Sequence, residues 1–374
     1  MEKIVTFQPP IDNKDIPRIE AILKNRKLIV AANPEFPPLH SFMTYMSAIF
    51  IDAINIKALI DRNILSTLVA IAKGDIININ DPTYQSISAL MCFLLSFDIQ
   101  IEPAIAIYEY GSFHSHSKAV SDLKYFRVAD HLHPKQYADI ALGRRNRASD
   151  EELELAGTFA DKFVLDEEKS FTRLLRPFKI NYLYALKIAN LARMSLQPIE
   201  RLQQFYKWML NEAVLSAVAT TFATIYFGPH DKRPLIKRIN SQCSDKLLKG
   251  IKNATWDMSY LSHWGKMVAS SDSNKASLFC SCDTDLLDVA ECLFSNNSVT
   301  VTETAIERVF LKHWPPNLMK QLIEQRIQLN ESVRKNPKKR ELHIKKSWGC
   351  LDQMILREEA ALGIQSNFSR TNRS

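Results

Sequence analysis

Four carboxylates stand where chemistry can use them, each at the end of an apolar run or on the inner edge of a helical pattern: Asp61, Glu109, Asp257 and Asp283. Asp61 follows Ala58, Leu59 and Ile60, and Asp283 closes Ser277–Cys282, so both are expected at the carboxyl end of a strand, where open parallel sheets bind ligands. Glu109 follows Ile105, Ile107 and Tyr108, and a carboxylate among apolar neighbours is costly unless it is paired or bound to a cation. Helical spacing puts Asp257 between Ala254 and Leu261, at the border of an apolar stripe. Converging carboxylates repel one another, and hard divalent cations relieve that repulsion through oxygen ligands. Taken singly, Asp61 and Asp283 read equally as helix N-caps, and the neighbouring Asp285 as complement to a helix dipole.

The elements that must position these residues follow from periodicity. Up to about residue 112, β-rich runs (Lys27–Ala31, Ile56–Ile60, Asp98–Ile101) alternate with helical patterns (Ile64–Ala72, Pro82–Leu95, and a helix opened by Pro103), which predicts an α/β sheet. Residues 113–243 read as almost pure helix. The α/β pattern returns over 244–310, with helix Lys246–Val268, strand Ser277–Cys282, helix Thr284–Leu293 and strand Ser298–Thr302. Residues 311–374 read as a basic helical region with a frayed tail.

Composition excludes several alternatives. The 374 residues contain nine glycines, no two closer than fourteen positions, so no glycine-rich phosphate loop, dinucleotide fingerprint or nucleophile elbow is present. Phosphate chemistry here falls to side chains, helix ends or metal ions. The six cysteines form no CxxC pair and point to a reducing compartment, the cytoplasm. The acidic, proline-containing start does not read as a signal peptide, and the apolar run Ala213–Phe227 is too short for a bilayer, so no membrane partner is expected. The net charge of +7 is concentrated between Arg326 and Lys346, where eight basic residues face Glu331 and Glu341. Arg334, Lys335, Lys338, Lys339, Arg340, Lys345 and Lys346, followed by Trp348, are the candidate nucleic-acid contacts. A solvated helical connection accounts for the same charges equally well. The clusters at Arg144, Arg145, Arg147 and at Lys232, Arg233, Lys237, Arg238 read individually as surface charge.

The order strand-Asp-x-Asn-helix, helical Glu, helix-edge Asp and strand-Ser-x-Asp-helix resembles the PIN-domain ribonucleases. The resemblance covers roughly 52–112 and 250–305, with the intervening helices as a large insertion. It implies a small parallel sheet between helices, and four acidic side chains holding one or two Mg²⁺ or Mn²⁺ ions at the strand ends. On that resemblance Asp61 stands for the first aspartate of the Asp-x-Asn motif, with Arg62 where a small residue is usual, Glu109 for the second acidic position and Asp257 for the third. Asp283 stands for the aspartate after the strand-borne hydroxyl residue, here Ser281. Asn63, Ser281 and Asp285 become supporting residues. Hydrolysis of phosphodiester bonds, in RNA before DNA, is the implied activity; a toxin-like or defence effector, restrained by a regulatory protein partner or a homo-oligomer, is compatible with it. Two competing readings remain: a TOPRIM-like nuclease acting on DNA, imitated by Glu109 and Asp283-Thr-Asp285, and a non-catalytic nucleic-acid-binding or scaffold protein. The pairs His114/His116 and His131/His133 match zinc or copper spacing but fit polar loops around a helix better.

Overall fold

The computed structural model describes residues 9–32, 40–162, 170–172, 175–230, 235–270, 274–294, 310–335 and 337–364. The chain divides into two compact units: Met1–Leu174 with His263–Leu287, and Leu175–Ser262 with Asp288–Ser374.

The first unit is α/β. Its elements in chain order are α1 (Ile16–Arg26), β1 (Ile29–Ala31), α2 (Phe42–Met46, continued by a π-helical turn Ser47–Ile51), β2 (Asn55–Ile60), α3 (Arg62–Ala72), α4 (Pro82–Ser96), β3 (Gln100–Glu102), α5 (Ala104–Phe113), α6 (His116–His131), α7 (Pro134–Ala141) and α8 (Asp150–Ala160). The sheet order is β1-β4-β2-β3, where β4 is Lys275–Cys280. β4, β2 and β3 run parallel, with Ile60 opposite Cys280 and Leu59 opposite both Phe279 and Glu102, while β1 joins β4 antiparallel. Ala58, Leu59 and Ile60 are fully buried, as expected of a strand covered on both faces.

Helix α3 starts where Asp61 caps it and ends before Gly74, whose φ of 75° belongs to the left-handed region. Pro82 opens α4 behind the Asp81 cap. Phe42, Tyr45, Phe93 and Phe97 form a buried aromatic cluster, Tyr45 and Phe93 meeting edge-on at 4.6 Å. The expected strands and helices of this half that fall on described residues are present, with shifted ends: β1 begins at Ile29 rather than Lys27 and β2 at Asn55 rather than Ile56. β3 lies at Gln100–Glu102 rather than Asp98–Ile101, β4 at Lys275–Cys280, and Pro103 is the residue before α5 rather than its first. The second expected strand, Ser298–Thr302, lies outside the described residues.

The boundary between units falls at Leu174 rather than near residue 112. Helices α6–α8 belong to the α/β unit because α6 packs on α3 and α5, α7 on α4, and α8 on α6.

Among its described residues the second unit is helical: α9 (Arg176–Arg193), α10 (Pro198–Asn211), α11 (Ala217–Tyr226), most of α12 (Ser244–Ala269), the end of α13 (Thr284–Phe294), α14 (Pro316–Arg334), α15 (Pro337–Gly349) and α16 (Leu351–Ala361). α9 and α16 share a buried polar seam. Tyr182 donates to Glu359 at 2.8 Å, Asn190 to Glu358 at 2.8 Å, and Lys187 lies 3.3 Å from Glu358, which is 3 % exposed. No described helix is long and apolar enough to cross a membrane.

Candidate functional site at the carboxyl ends of two parallel strands

β2 and β4 are neighbours and parallel, so the residues leaving their carboxyl ends emerge side by side. The ladder extends one step further, with the Asp61 amide donating to Cys280 at 3.1 Å, while the Ser281 amide donates to Leu28 beside β1 at 3.0 Å. Asp61 then turns the chain into α3. Its Oδ1 accepts the Ile64 amide at 2.9 Å and its Oδ2 the Ser281 hydroxyl at 2.5 Å. The Ser281 oxygen in turn accepts the Asp283 amide at 2.9 Å. Asp283 caps α13 through Oδ1, which accepts the amides of Asp285 and Leu286 at 3.0 and 3.1 Å. One buried hydroxyl therefore links the Asp61 carboxylate to the backbone amide of Asp283, from the adjacent strand end.

Asp61 is 3 % exposed, and burial raises its carboxyl to about 6; the hydrogen bonds from Ile64 and Ser281 pull it down, and the charge of Asp283 pushes it up. Asp283 is half-buried. The strand Asp61 follows leaves its carboxylate nowhere else to go, which is how an ordinary N-cap becomes a buried charge.

Glu109 and Arg62 approach from the next layer. Arg62, the residue after Asp61, places its guanidinium 3.9 Å from the centre of the Tyr110 ring and pairs with Asp122 at 2.8 Å. That stacking fixes α5, and with it the half-buried Glu109, beside the first turn of α3. An arginine where the resemblance calls for a small residue is thus anchored sideways against α5 and α6. Asn63 is exposed on the first turn of α3, and Asp285 is half-buried on α13. Asp257 is half-buried on α12, in the portion belonging to the second unit. Asp61, Ser281 and Asp283 are the residues the structure joins by hydrogen bonds. Among the described residues, no group of three or more His, Cys, Asp or Glu side chains is placed to hold a metal ion.

Sequence reasoning passed over Glu102, which ends β3 and sits opposite Leu59 in register. Its Oε1 accepts the Ala104 amide at 2.8 Å. It also faces His263 of α12, whose imidazole burial holds below its ordinary pKa, with the Glu102 charge opposing that shift. Only a strand of its own would have flagged Glu102, and β3 is three residues long. Beside β3 opens a cleft of about 600 Å³ lined by Gln100, Glu102, Arg127, Asp130, His131 and Phe171 among others. Burial pushes Asp130 up to about 6, partly offset by Arg127 and His131.

The paired histidines serve local structure. His133 caps α7 through the Lys135 amide at 3.2 Å, His116 accepts the Phe171 amide at 3.3 Å, and the His131 ring bonds the Arg127 carbonyl oxygen at 2.7 Å. All six cysteines are free, and burial pushes the Cys282 thiol up to about 12, against a role as a reactive thiolate. In the basic C-terminal segment Lys335 and Lys345 pair one helical turn back with Glu331 and Glu341 at 3.1 and 2.9 Å; Arg340 and Lys346 are exposed. The side chains of Arg334, Lys338 and Lys339 lie outside the described ones.

Neither a protein-family model, nor a curated protein, nor a solved structure matches the chain.

Proposed function

We propose that the protein is a divalent-metal-dependent nuclease that hydrolyses phosphodiester bonds at the carboxyl ends of β2 and β4, with RNA as the substrate the PIN-like pattern favours. The observation that carries this is the joining of Asp61 and Asp283, from adjacent parallel strands, through the Ser281 hydroxyl. The donor set fits Mg²⁺ or Mn²⁺. Hard cations of this size are held by one or two carboxylates, and take their remaining ligands from water and substrate phosphate. Burial chiefly raises Asp61 and the charge of Asp283 adds to it; these are the two carboxylates that would hold a divalent cation, whose charge would offset both effects. When bound, the ion supplies a nucleophilic water at neutral pH and neutralises charge on the departing oxygen.

The chain's own residues supply the rest. Ser281 orients the Asp61 carboxylate, to which its hydroxyl donates, and fixes the backbone of Asp283 by accepting its amide. The N-terminus of α3, capped by Asp61, and that of α13, capped by Asp283, place two helix dipoles with positive ends at the same sheet edge, favourable to a bound phosphate. Glu109 is the proposed third ligand, with Asn63 and Asp285 as supports; Asp257 belongs to the second unit and is left out of the proposed ligand set.

The same hydrogen bonds favour a second reading, in which Asp61 and Asp283 are caps alone. Substitution by asparagine separates the two, because asparagine caps a helix as well as aspartate does yet brings no charge to a cation. Purified wild type, Asp61→Asn and Asp283→Asn are assayed on labelled RNA and DNA with Mg²⁺ or Mn²⁺. The proposal expects cleavage by wild type and loss of roughly 100-fold or more in both variants with folding intact. Equal activity in all three would reduce the site to two helix caps.

A further inference from the structure

The two units differ in charge. The first holds 21 basic and 26 acidic residues, net −5, and the second 27 and 15, net +12, which together give the chain's +7. Part of the second unit's positive charge is answered locally. Lys187 and Arg357 meet Glu358, Lys312 meets Asp288, and Lys335 and Lys345 meet glutamates on their own helices.

One group is not. Lys237 and Arg238 lie in the loop before α12, and Lys246, Lys249 and Lys252 on its first turns. The loop presses on the helix at Gly250, where a Cβ would collide with the Lys237 carbonyl oxygen. Only a glycine admits so close a crossing, and it sets the backbone of the Lys237–Arg238 run beside the first turns of α12. At 100° per residue Lys246, Lys249 and Lys252 share the helix face opposite Leu247, Ile251 and Ala254, which are buried. Lys237, Arg238, Lys246 and Lys249 are exposed and Lys252 half-buried, and none of the five makes an ion pair among the described residues. Asp245 is the acidic residue within the run. No exposed large apolar side chain interrupts the patch, so it lacks the wedge a membrane-docking surface uses.

We infer that Lys237, Arg238, Lys246, Lys249 and Lys252 form a docking surface for the phosphodiester backbone of nucleic acid. This rests on the reading of the protein as a nuclease, and adds a substrate-holding surface on the unit that lacks the strand-end carboxylates. Closely set cations without fixed counter-charges release condensed counterions from a phosphate chain when it binds, which makes the contact tight at low salt and tolerant of sequence.

The test is fluorescence anisotropy of labelled single-stranded RNA and DNA oligonucleotides with the full-length protein in EDTA, over a range of KCl, so that binding is read without cleavage. The triple variant Lys237→Glu/Lys246→Glu/Lys249→Glu is expected to bind at least about 10-fold more weakly, and to flatten the slope of log affinity against log salt by about 2, at ~0.7 per lost phosphate contact. Lys207→Glu/Lys320→Glu, two exposed lysines on α10 and α14 outside the patch, is expected to stay within about twofold of wild type; circular dichroism confirms folding in each. Undiminished binding by the triple variant overturns the inference. So does competition by polyglutamate as strong as by unlabelled RNA, which would make the partner an acidic protein. Asp61→Asn distinguishes the two proposals: normal binding without cleavage supports the site, whereas normal cleavage with binding lost in the triple variant removes the catalytic reading and leaves the docking surface standing.

Discussion

The α/β unit and the helical unit carry opposite net charge and hold it differently. The first is net negative: its buried Asp15 and Asp122 are paired with Arg144 and Arg62, while Asp61, at the end of β2, is 3 % exposed and held by an amide and a hydroxyl. The second is net positive, pairs its buried acids with lysine, arginine, asparagine and tyrosine, and leaves a set of cations unpaired on α12 and its preceding loop. On the proposed function, chemistry belongs to the first unit; on the further inference, holding of a polyanion belongs to the second.

The sharpest way to break that division is Asp61→Asn, expected to abolish cleavage by about 100-fold or more while leaving nucleic-acid affinity unchanged. Next comes the charge reversal of Lys237, Lys246 and Lys249, expected to do the converse to affinity. In the helical unit, Glu358→Ala removes the acceptor shared by Lys187 and Asn190 and should lower unfolding free energy by about 3 kcal/mol, seen as a shifted urea midpoint. A drop below ~1 kcal/mol would show that the seam is not structural.

A pH experiment probes the first unit. Asp61 and Asp130 each have a folded pKa of about 6, above the unfolded carboxylate value, so the folded state binds more protons between the two. Their stabilising contribution is complete below about pH 4 and lost as pH rises through 6. In metal-free protein, Asp130→Asn should therefore reduce the fall in stability over that window by about 2 kcal/mol, measured by urea titration at several pH values; an unchanged profile would mean that Asp130 is not held protonated. The smallest effect is Ser281→Ala. Loss of one charge-assisted hydrogen bond within the buried pair should cost about 1 to 3 kcal/mol of stability, read as a lowered Tm.

Much of the α/β unit was legible because its signals are local. Ile56–Ile60 followed by Asp61 and the 3.6-residue spacing of Ile64, Leu65, Leu68 and Val69 specify a strand, a cap and a helix without reference to anything distant. Asp283 announced itself in the same way at the other strand. Glu102 did not, because a three-residue strand has no periodicity to read. The assignment of α6–α8 to the α/β unit was equally invisible, since helical spacing says which face is buried but not against what. The basic run Arg334–Lys346 stood out by density alone; Lys335 and Lys345 within it pair with glutamates one turn away.

The sequence by itself determined the secondary elements of the first unit, the candidate carboxylates at its strand ends, and the absence of a glycine-built phosphate loop, because each of these depends on residues within a few positions of one another. Tertiary structure alone decided that the Ser281 hydroxyl reaches Asp61 across 220 residues of chain, and that the backbone at Lys237 crosses α12 at Gly250. Both depend on which strand lies beside which and on how closely two backbones cross. Pairing and crossing are settled by burial of the whole core, not by any local run of residues.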